Sequence, residues 1–235
     1  MSDLTSIPIP RLPNALLVMA KRPAPRRTKT RLTPPLSPLQ AATLYECFLK
    51  DTLDLVREIP SVQPVIAYLP AQEKAYFRGL APDFELLLQT GSDLGSRLDK
   101  ALTQYLARGY GRVVIMNSDG PTLPPRYLEM AFETLAADTD VVLGPCDDGG
   151  YYLIGLKQPA PRLLREVRMS TAHVTADTLD LAAEMGLQTT LLPCWYDVDD
   201  LDSLARLIEE LDGSPSGLAP HTRAFLSDLL QSVDI

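Results

Sequence analysis

"VVIMNSDGPTLP", residues 113–124, joins a run of apolar, strand-forming residues to a polar corner that ends in Gly120-Pro121. The run predicts a buried strand, and the Gly-Pro pair predicts that the strand ends there in a turn. Asp119 then lies at the edge of a sheet, where the strand stops. Ligands of open α/β sheets bind outside the carboxyl ends of the strands, so Asp119 is a candidate site residue.

Strands and helices alternate along the rest of the chain. Apolar runs predict strands at residues 15–20, 63–70, 84–89, 112–116, 140–145, 151–156 and 188–193. Amphipathic segments and capping signals predict helices at residues 38–59, 71–80, 96–109, 125–137, 175–186, 201–213 and 222–233. This alternation predicts an α/β fold with a mostly parallel sheet and helices on both faces. The connection between 140–145 and 151–156 is too short for a parallel crossover and predicts one antiparallel insertion.

Length and composition favour one domain over residues 1–235. A chain of 235 residues with 46% hydrophobic residues is long enough to bury a sizeable core. Residues 1–13 contain three prolines and predict an extended segment, while residues 213–235 predict a linker and a terminal helix. Ser37, Pro38 and Gln40 match the start of a helix with a capping box.

Charge and cysteine usage exclude several classes of partner. The formal net charge of −8 argues against a nucleic-acid partner, which needs a broad basic face. The chain has no apolar stretch of the roughly 18 residues that a spanning helix needs and no secretory h-region, so we expect a cytoplasmic protein without membrane insertion. Cys47, Cys146 and Cys194 are scattered, and we interpret them as structural thiols.

The loop after the first strand, "KRPAPRRTKTR" (21–31), holds six of the chain's 22 lysines and arginines and no acidic residue. Several N–H donors on one loop suit a diphosphate or triphosphate, so Lys21, Lys29 and Arg31 are candidate phosphate-binding residues. A solvated basic loop is the alternative. Neither GxxxxGK[ST] nor GxGxxG follows the strand, which argues against a P-loop or a dinucleotide-binding motif.

The segment "QTGSDLGSRL" (89–98) follows the third predicted strand. Its glycines would let a flat base or a sugar approach the backbone closely, although an ordinary turn uses glycine as well. Gln89, Gly91 and Gly95 are therefore candidate nucleotide-binding residues.

Asp119 and two further acidic corners suggest a metal site at the same edge. A carboxylate there suits a hard divalent cation that bridges substrate phosphates, whereas an Asx turn or a helix cap is the alternative use of Asp119. Asp147 and Asp148 precede a Gly-Gly pair at a second corner, "CDDGGYYL" (146–153). All these positions follow strands, so the layout favours a phosphate, metal and sugar site over scattered surface charge.

The last acidic corner is "WYDVDDLDSL" (195–204), with carboxylates at four positions. Either Asp199 or Asp200 is suited to cap the helix that is predicted to begin near Leu201. One cap does not account for all four carboxylates, which leaves the others for the site.

Four segments, in this order and spacing, resemble the DUF2064 family within the GT-A, or nucleotide-diphospho-sugar transferase, superfamily: "MAKRPAPRRTKTRL", "NSDGPTLPP", "VVLGPCDDGGYYLIGL" and "WYDVDDLDSL". The resemblance covers about residues 14–230 and implies a three-layer α/β/α Rossmann-like fold. It also implies a nucleotide sugar or nucleoside triphosphate as donor, a small-molecule acceptor, and Mg²⁺ or Mn²⁺ as cofactor. Asp119 then stands at the metal carboxylate, helped by Asp197 or Asp199, because Asn117 occupies the first acidic position of the family's motif.

A second departure from the family lies in the basic loop. Relatives usually carry glycine where this chain has Arg26, so we expect a stiffer and more cationic loop. We expect this change to affect which nucleotide the protein binds and how tightly it binds.

The sequence and the resemblance favour the first of three functions and leave the other two as alternatives. The first is metal-dependent glycosyl transfer, with Asp148 or its neighbour Asp147 orienting the sugar or acceptor, or acting as a base. The second is nucleotidyl transfer to a phosphorylated metabolite, as in phospholactate guanylyltransferases, whose loop is similar. The third is a non-catalytic nucleotide-binding protein, suggested by Asn117. Whether the chain forms a homo-oligomer is also left open.

Overall fold

A computed structural model describes residues 13–231, so the extended segment predicted for residues 1–13 lies outside the described residues except for Pro13. The strands are β1 Asn14–Lys21, β2 Val62–Leu69, β3 Glu85–Leu88, β4 Arg112–Met116, β5 Val141–Pro145, β6 Tyr151–Leu156 and β7 Thr189–Leu191. The helices are α1 Pro38–Glu58, α2 Lys74–Leu80, α3 Leu94–Ala107, α4 Pro125–Ala136, α5 Pro161–Arg165, α6 Val174–Glu184, α7 Leu201–Asp212 and α8 Pro220–Gln231.

The described strands form one seven-stranded sheet in the order β3-β2-β1-β4-β6-β5-β7. All neighbouring strands pair in parallel except at β6, which is antiparallel to both β4 and β5. The predicted antiparallel insertion is therefore confirmed. Because β6 enters the sheet in the reverse direction, its first residue, Tyr151, lies at the edge where β4 ends.

Helices cover both faces of the sheet, and this confirms the predicted three-layer α/β/α class. β1 is buried on both sides, with Leu16 and Val18 facing the layer of α1, α2 and α4, and Ala15 and Leu17 facing the layer of α3, α5 and α6. Such two-sided burial explains why the parallel strands are continuous apolar runs. A third apolar cluster packs α7 and α8 against α1.

The ends of several elements follow their capping residues. Ser37 and Gln40 form the predicted capping box of α1, and Asp200 caps α7 with its own capping box. Asp93 caps α3, so this helix begins two residues before the predicted start. The five-residue helix α5 was not predicted, because it is too short to show a helical period. No helix within the described residues is long and apolar enough to cross a bilayer.

The carboxylate of Asp51 joins α8 to α1. Asp51 is only 4% exposed, and its two oxygens accept hydrogen bonds from the backbone N–H groups of His221 and Thr222 at 2.9 and 2.8 Å, as well as from the Thr222 hydroxyl. These N–H groups belong to the first turn of α8, where the helix itself offers no acceptor. A side chain from a distant helix thus caps the terminal helix.

We predict that Asp51→Ala lowers the free energy of unfolding by about 2–3 kcal/mol, because it leaves buried N–H donors unsatisfied. Denaturant unfolding followed by circular dichroism measures the change. Asp54→Ala is the matched control, since Asp54 lies one turn further along α1 and its contacts to Arg57 and His221 are exposed. Equal losses in both variants would contradict a capping role for Asp51.

Candidate active site

A cleft of about 700 Å³ opens at the carboxyl edge of the sheet, next to the ends of β1 and β4 and the start of β6. The basic loop after β1 forms one wall, and the segments around Asp119 and Asp197 form another. Tyr151 and the segment Met169–Ala172 close the far side. The cleft brings together eight of the residues predicted from the sequence: Lys21, Lys29, Arg31, Gln89, Asp119, Asp148, Asp197 and Asp199.

Lys29 lies at the centre of these charges. Its side chain is 4% exposed, and its ammonium group donates to Oδ1 of Asp119 and, at 2.8 Å, to Oδ1 of Asp199. The backbone of Lys29 is left-handed, with φ 48° and ψ 43°, a conformation that is uncommon for a residue with a side chain. Such strain at a ligand-edge loop is typical of functional sites, and here it accompanies a lysine that points inward.

The electrostatics around Lys29 keep its ammonium group charged. Burial favours the neutral amine, but the nearby carboxylates of Asp119 and Asp199 outweigh burial and raise the pKa of Lys29 above its ordinary value. The cation in turn allows the two carboxylates to lie close together without excessive repulsion.

Side chains alternate in direction along the segment before α7, and this alternation directs two carboxylates into the cleft. Tyr196 and Val198 are buried in the cluster that packs α7 and α8 on α1, while Asp197 and Asp199 point to the other side and line the cleft. The backbone N–H of Val198 donates to the carbonyl of Asp119 at 2.9 Å, which ties this segment to the end of β4. With Asp200 used as the cap of α7, Asp199 is left for the cleft.

Asn117 positions Asp197. Its amide donates to Oδ2 of Asp197 at 2.8 Å, and its Oδ1 accepts from the backbone N–H of Asp119 at 3.2 Å. Burial and the charge of Asp119 raise the pKa of Asp197 to about 7, against the bond from Asn117, which lowers it. The position that lacks the family's acid thus supports an acid from another segment.

Tyr45 is a cleft residue that the sequence did not reveal. Its hydroxyl lies 3.0 Å from Oγ of Ser118 and accepts from the backbone N–H of Lys21 at 3.3 Å, so it links the ends of β4 and β1. Burial raises the pKa of Tyr45, which keeps the hydroxyl protonated. Apolar periodicity places Tyr45 on the buried face of α1, where it is indistinguishable from a core residue.

The remaining cations of the cleft are Lys21, Arg27, Arg31 and Arg97. Arg97 belongs to α3 and is a cleft residue that was not predicted from the sequence, although it lies two residues after Gly95. Arg26 does not line the cleft, and its φ of 64° is the left-handed conformation that glycine adopts without strain.

The structure separates Asp148 from Asp147. Asp148 lines the cleft, where its Oδ1 accepts from the backbone N–H of Gly150 at 2.8 Å. Asp147 does not line it and instead contacts Arg206 of α7 at 2.6 Å on the surface. Of the two alternatives, only Asp148 is placed to meet a ligand in the cleft.

The residues after β3 have mostly local contacts. The amide of Gln89 lines the cleft but donates to the carbonyls of Ala67 and Ala20 at 2.6 and 3.3 Å, bridging three strand ends. Neither Gly91 nor Gly95 lines the cleft. A Cβ at Gly95 would lie 1.9 Å from the carbonyl oxygen of Leu164, so this glycine permits close packing of α3 on α5.

The donor set of the cleft fits a hard divalent cation. Asp119, Asp197 and Asp199 offer only oxygen ligands, which Mg²⁺ and Mn²⁺ accept. Oδ1 of Asp197 is buried and has no hydrogen-bond partner, and Lys29 already occupies a cation position between the other two carboxylates. Oxygens from all three would hold the metal.

Another group of potential metal ligands lies elsewhere in the described residues. Asp51, Asp54 and His221 bring ligand atoms within 4.8 Å of one another, outside the cleft. Both oxygens of Asp51 already accept hydrogen bonds from the start of α8, so helix capping accounts for this group. The three cleft carboxylates do not converge that closely while Lys29 lies between two of them.

Comparison with known proteins relates the chain to nucleotide-dependent transferases. A family model described as "Uncharacterized protein conserved in bacteria (DUF2064)" matches residues 52–171. The 2-phospho-L-lactate guanylyltransferase of Methanothermobacter thermautotrophicus is 28% identical over 206 residues, which cover 86% of this chain and 85% of that protein.

Two solved structures share the fold. A protein of Desulfovibrio desulfuricans G20, provisionally described as a nucleotide-diphospho-sugar transferase, superposes with a TM-score of 0.86 at 32% identity, over 92% of this chain and 94% of its own. A cytidylyltransferase of Leptospira borgpetersenii superposes with a TM-score of 0.55 at 11% identity, over 95% of this chain and 96% of its own. The second similarity concerns the fold alone.

We predict that Asn117→Asp destabilises the metal-free protein by about 1–3 kcal/mol, because it removes a donated hydrogen bond and places a carboxylate against Asp197. Asn117→Ala, which removes the bond without adding charge, should cost less. Denaturant unfolding in the presence of a chelator measures both. Equal stability of Asn117→Asp and the wild type would contradict the role assigned to Asn117.

Proposed function

The chain belongs to the DUF2064 family, and from that premise we propose that it is a metal-dependent nucleotidyltransferase. It would transfer a nucleoside monophosphate unit from a nucleoside triphosphate to a phosphorylated small molecule. The observation that carries this proposal is that one cleft holds both cations and carboxylates. Its cations, which we call the cationic wall, are Lys21, Arg27, Arg31 and Arg97, and its carboxylates include those of Asp119, Asp197 and Asp199.

The cationic wall suits a triphosphate. Lys21, Arg27 and Arg31 line the cleft and have no ion-pair partner among the described residues. Arg97 adds a fourth cationic side chain. Its guanidinium group donates from Nε to the carbonyl of Gly91 and has further N–H groups that can bind a phosphate. A triphosphate needs such a set of donors more than a diphosphate does.

The relatives support the same reaction class. A guanylyltransferase whose name specifies a phosphorylated acceptor is similar over 86% of the chain. The assignment of individual residues rests on the geometry of the cleft.

The proposed reaction forms one bond and breaks one bond at the α-phosphorus. A phosphate oxygen of the acceptor attacks this phosphorus, and the bond from it to the bridging oxygen breaks, so that pyrophosphate leaves with the bonding electrons. Bound Mg²⁺ or Mn²⁺ would neutralise the charge that develops on the phosphates. Lys21, Arg27, Arg31 and Arg97 hold the phosphate oxygens in place, and Asp148 orients the acceptor.

Glycosyl transfer from a nucleotide sugar is the second candidate. The 32% identical protein from Desulfovibrio, provisionally described as a nucleotide-diphospho-sugar transferase, favours it, as does the carboxylate of Asp148 inside the cleft. The same cations and carboxylates would then bind a diphosphate that leaves with the nucleoside. The donor therefore separates the two candidates.

Donor binding tests the proposal first. We expect a nucleoside triphosphate, chosen from the four common ones, to raise the melting temperature in the presence of Mg²⁺ or Mn²⁺ more than any UDP-, GDP-, ADP- or dTDP-sugar does. Asp119→Ala should weaken this metal-dependent binding by more than about tenfold, because it removes a metal ligand. Stabilisation by a nucleotide sugar alone would favour glycosyl transfer, and retained binding in Asp119→Ala would remove Asp119 from the site.

Asp148→Asn should lower kcat/KM for the acceptor by about 100-fold, because a misplaced acceptor loses its alignment with the α-phosphorus. The affinity for the donor should stay unchanged. Asp147→Asn is the matched control, since its carboxylate contacts Arg206 outside the cleft. Steady-state assays of pyrophosphate release measure both variants, and equal effects would contradict the placement of Asp148 at the acceptor.

A further inference from the structure

Lys29 differs from the other cations of the basic loop. Lys21, Arg27 and Arg31 line the cleft with no ion-pair partner among residues 13–231, whereas the ammonium group of Lys29 is enclosed by Asp119 and Asp199. The rings of Tyr45 and Phe48 lie beneath it, with centroids 5.8 and 5.6 Å from Nζ. Lys29 is thus held in the acidic part of the site rather than at the cationic wall.

The local structure of the loop directs Lys29 inward. The hydroxyl of the preceding Thr28 donates to the carbonyl of Ala24 at 3.2 Å and accepts from its N–H at 3.3 Å, which closes a turn. Leu32, three residues after Lys29, is fully buried among side chains of α1 and α7. Between these two anchors, Lys29 adopts its left-handed backbone. The carboxylates compensate for the burial of the ammonium group and for this strain.

The ammonium group and a metal ion need the same oxygens. Lys29 contacts Oδ1 of Asp119 and Oδ1 of Asp199, the atoms that face each other across the site. A divalent cation held by these carboxylates would repel the positively charged ammonium group of Lys29 unless that group moves away. Free metal offers that group no new partner, but a metal-bound triphosphate brings phosphate oxygens that can accept its N–H bonds.

We propose that Lys29 is a built-in counter-cation of Asp119 and Asp199, displaced by the metal–nucleotide complex and then paired with its phosphates, so that metal binds tightly only together with nucleotide. This inference rests on the proposed function for the identity of the nucleotide. It changes the role expected for Lys29 from a permanent phosphate ligand to one that exchanges partners. Competition for shared oxygens also requires that metal and nucleotide strengthen each other's binding.

Binding of Mn²⁺ alone to the full chain tests the proposal. Lys29→Met keeps the length of the side chain and removes the competing charge, and we expect it to bind Mn²⁺ at least about tenfold more tightly than the wild type does. Lys21→Met is the matched control, because it removes one positive charge from the same cleft without freeing a carboxylate, and its effect should stay below about threefold. Electron paramagnetic resonance of free Mn²⁺ gives the affinities. Equal Mn²⁺ affinity in the wild type and Lys29→Met would overturn the proposal.

Two further results test the proposal if Lys29→Met does not fold in the absence of metal. A Lys29→Met chain that folds only when Mn²⁺ is present would support the proposal, since the metal then replaces the lost cation. If this variant does not fold even with Mn²⁺, the Mn²⁺ affinity of the wild type with and without a nucleoside triphosphate tests the proposal instead. Mn²⁺ binding that is at least about tenfold tighter with a nucleoside triphosphate supports the proposal, and equal binding with and without it overturns the proposal.

These readouts separate the inference from the proposed function. A wild type that binds no nucleoside triphosphate with either metal contradicts the proposed function, while the comparison of Lys29→Met with Lys21→Met uses Mn²⁺ alone and keeps its meaning. Conversely, metal-dependent triphosphate binding together with unchanged Mn²⁺ affinity in Lys29→Met would leave the function in place and reject the exchange of partners.

Discussion

The buried ammonium group of Lys29 joins three parts of the chain that are far apart in sequence: the loop after β1, the end of β4 and the segment before α7. Without a cation between them, the carboxylates of Asp119 and Asp199 would repel each other in a partly buried site. A backbone hydrogen bond from the N–H of Val198 to the carbonyl of Asp119 also joins the segment before α7 to the end of β4. The geometry of the cleft therefore depends on a positive charge, and a divalent cation can supply that charge as well.

The sheet provides the rigid frame on which these charges are arranged. Strand β1, in the interior of the sheet, is buried on both faces and carries the cationic loop at its end, while the central strand β4 beside it carries Asn117 and Asp119. The reversed strand β6 brings Tyr151 and the neighbouring Asp148 to that same edge. Cations and carboxylates thus line one cleft, and the proposed binding of a metal together with a polyphosphate rests on this arrangement.

Sequence predicted what depends on local patterns. Continuous apolar runs located all seven strands, and the short β5–β6 connection predicted the antiparallel insertion. The position after each strand selected Asp119 and Asp199, because strand direction in a parallel sheet determines the edge. The choice between Asp147 and Asp148 depended instead on Arg206, a partner 59 residues away. The inward turn of Lys29 and the support of Asp197 by Asn117 are likewise contacts between distant segments, and no local pattern encodes them.

The nature of the transferred group tests the central claim most directly. Phosphorus-31 NMR can follow the full-length protein with a nucleoside triphosphate, Mg²⁺ and a panel of phosphorylated small molecules. We expect pyrophosphate to appear together with resonances of a new phosphoanhydride that retains the α-phosphorus of the donor. Release of a nucleoside diphosphate from a nucleotide sugar, with every nucleoside triphosphate unchanged across the panel, would contradict this expectation.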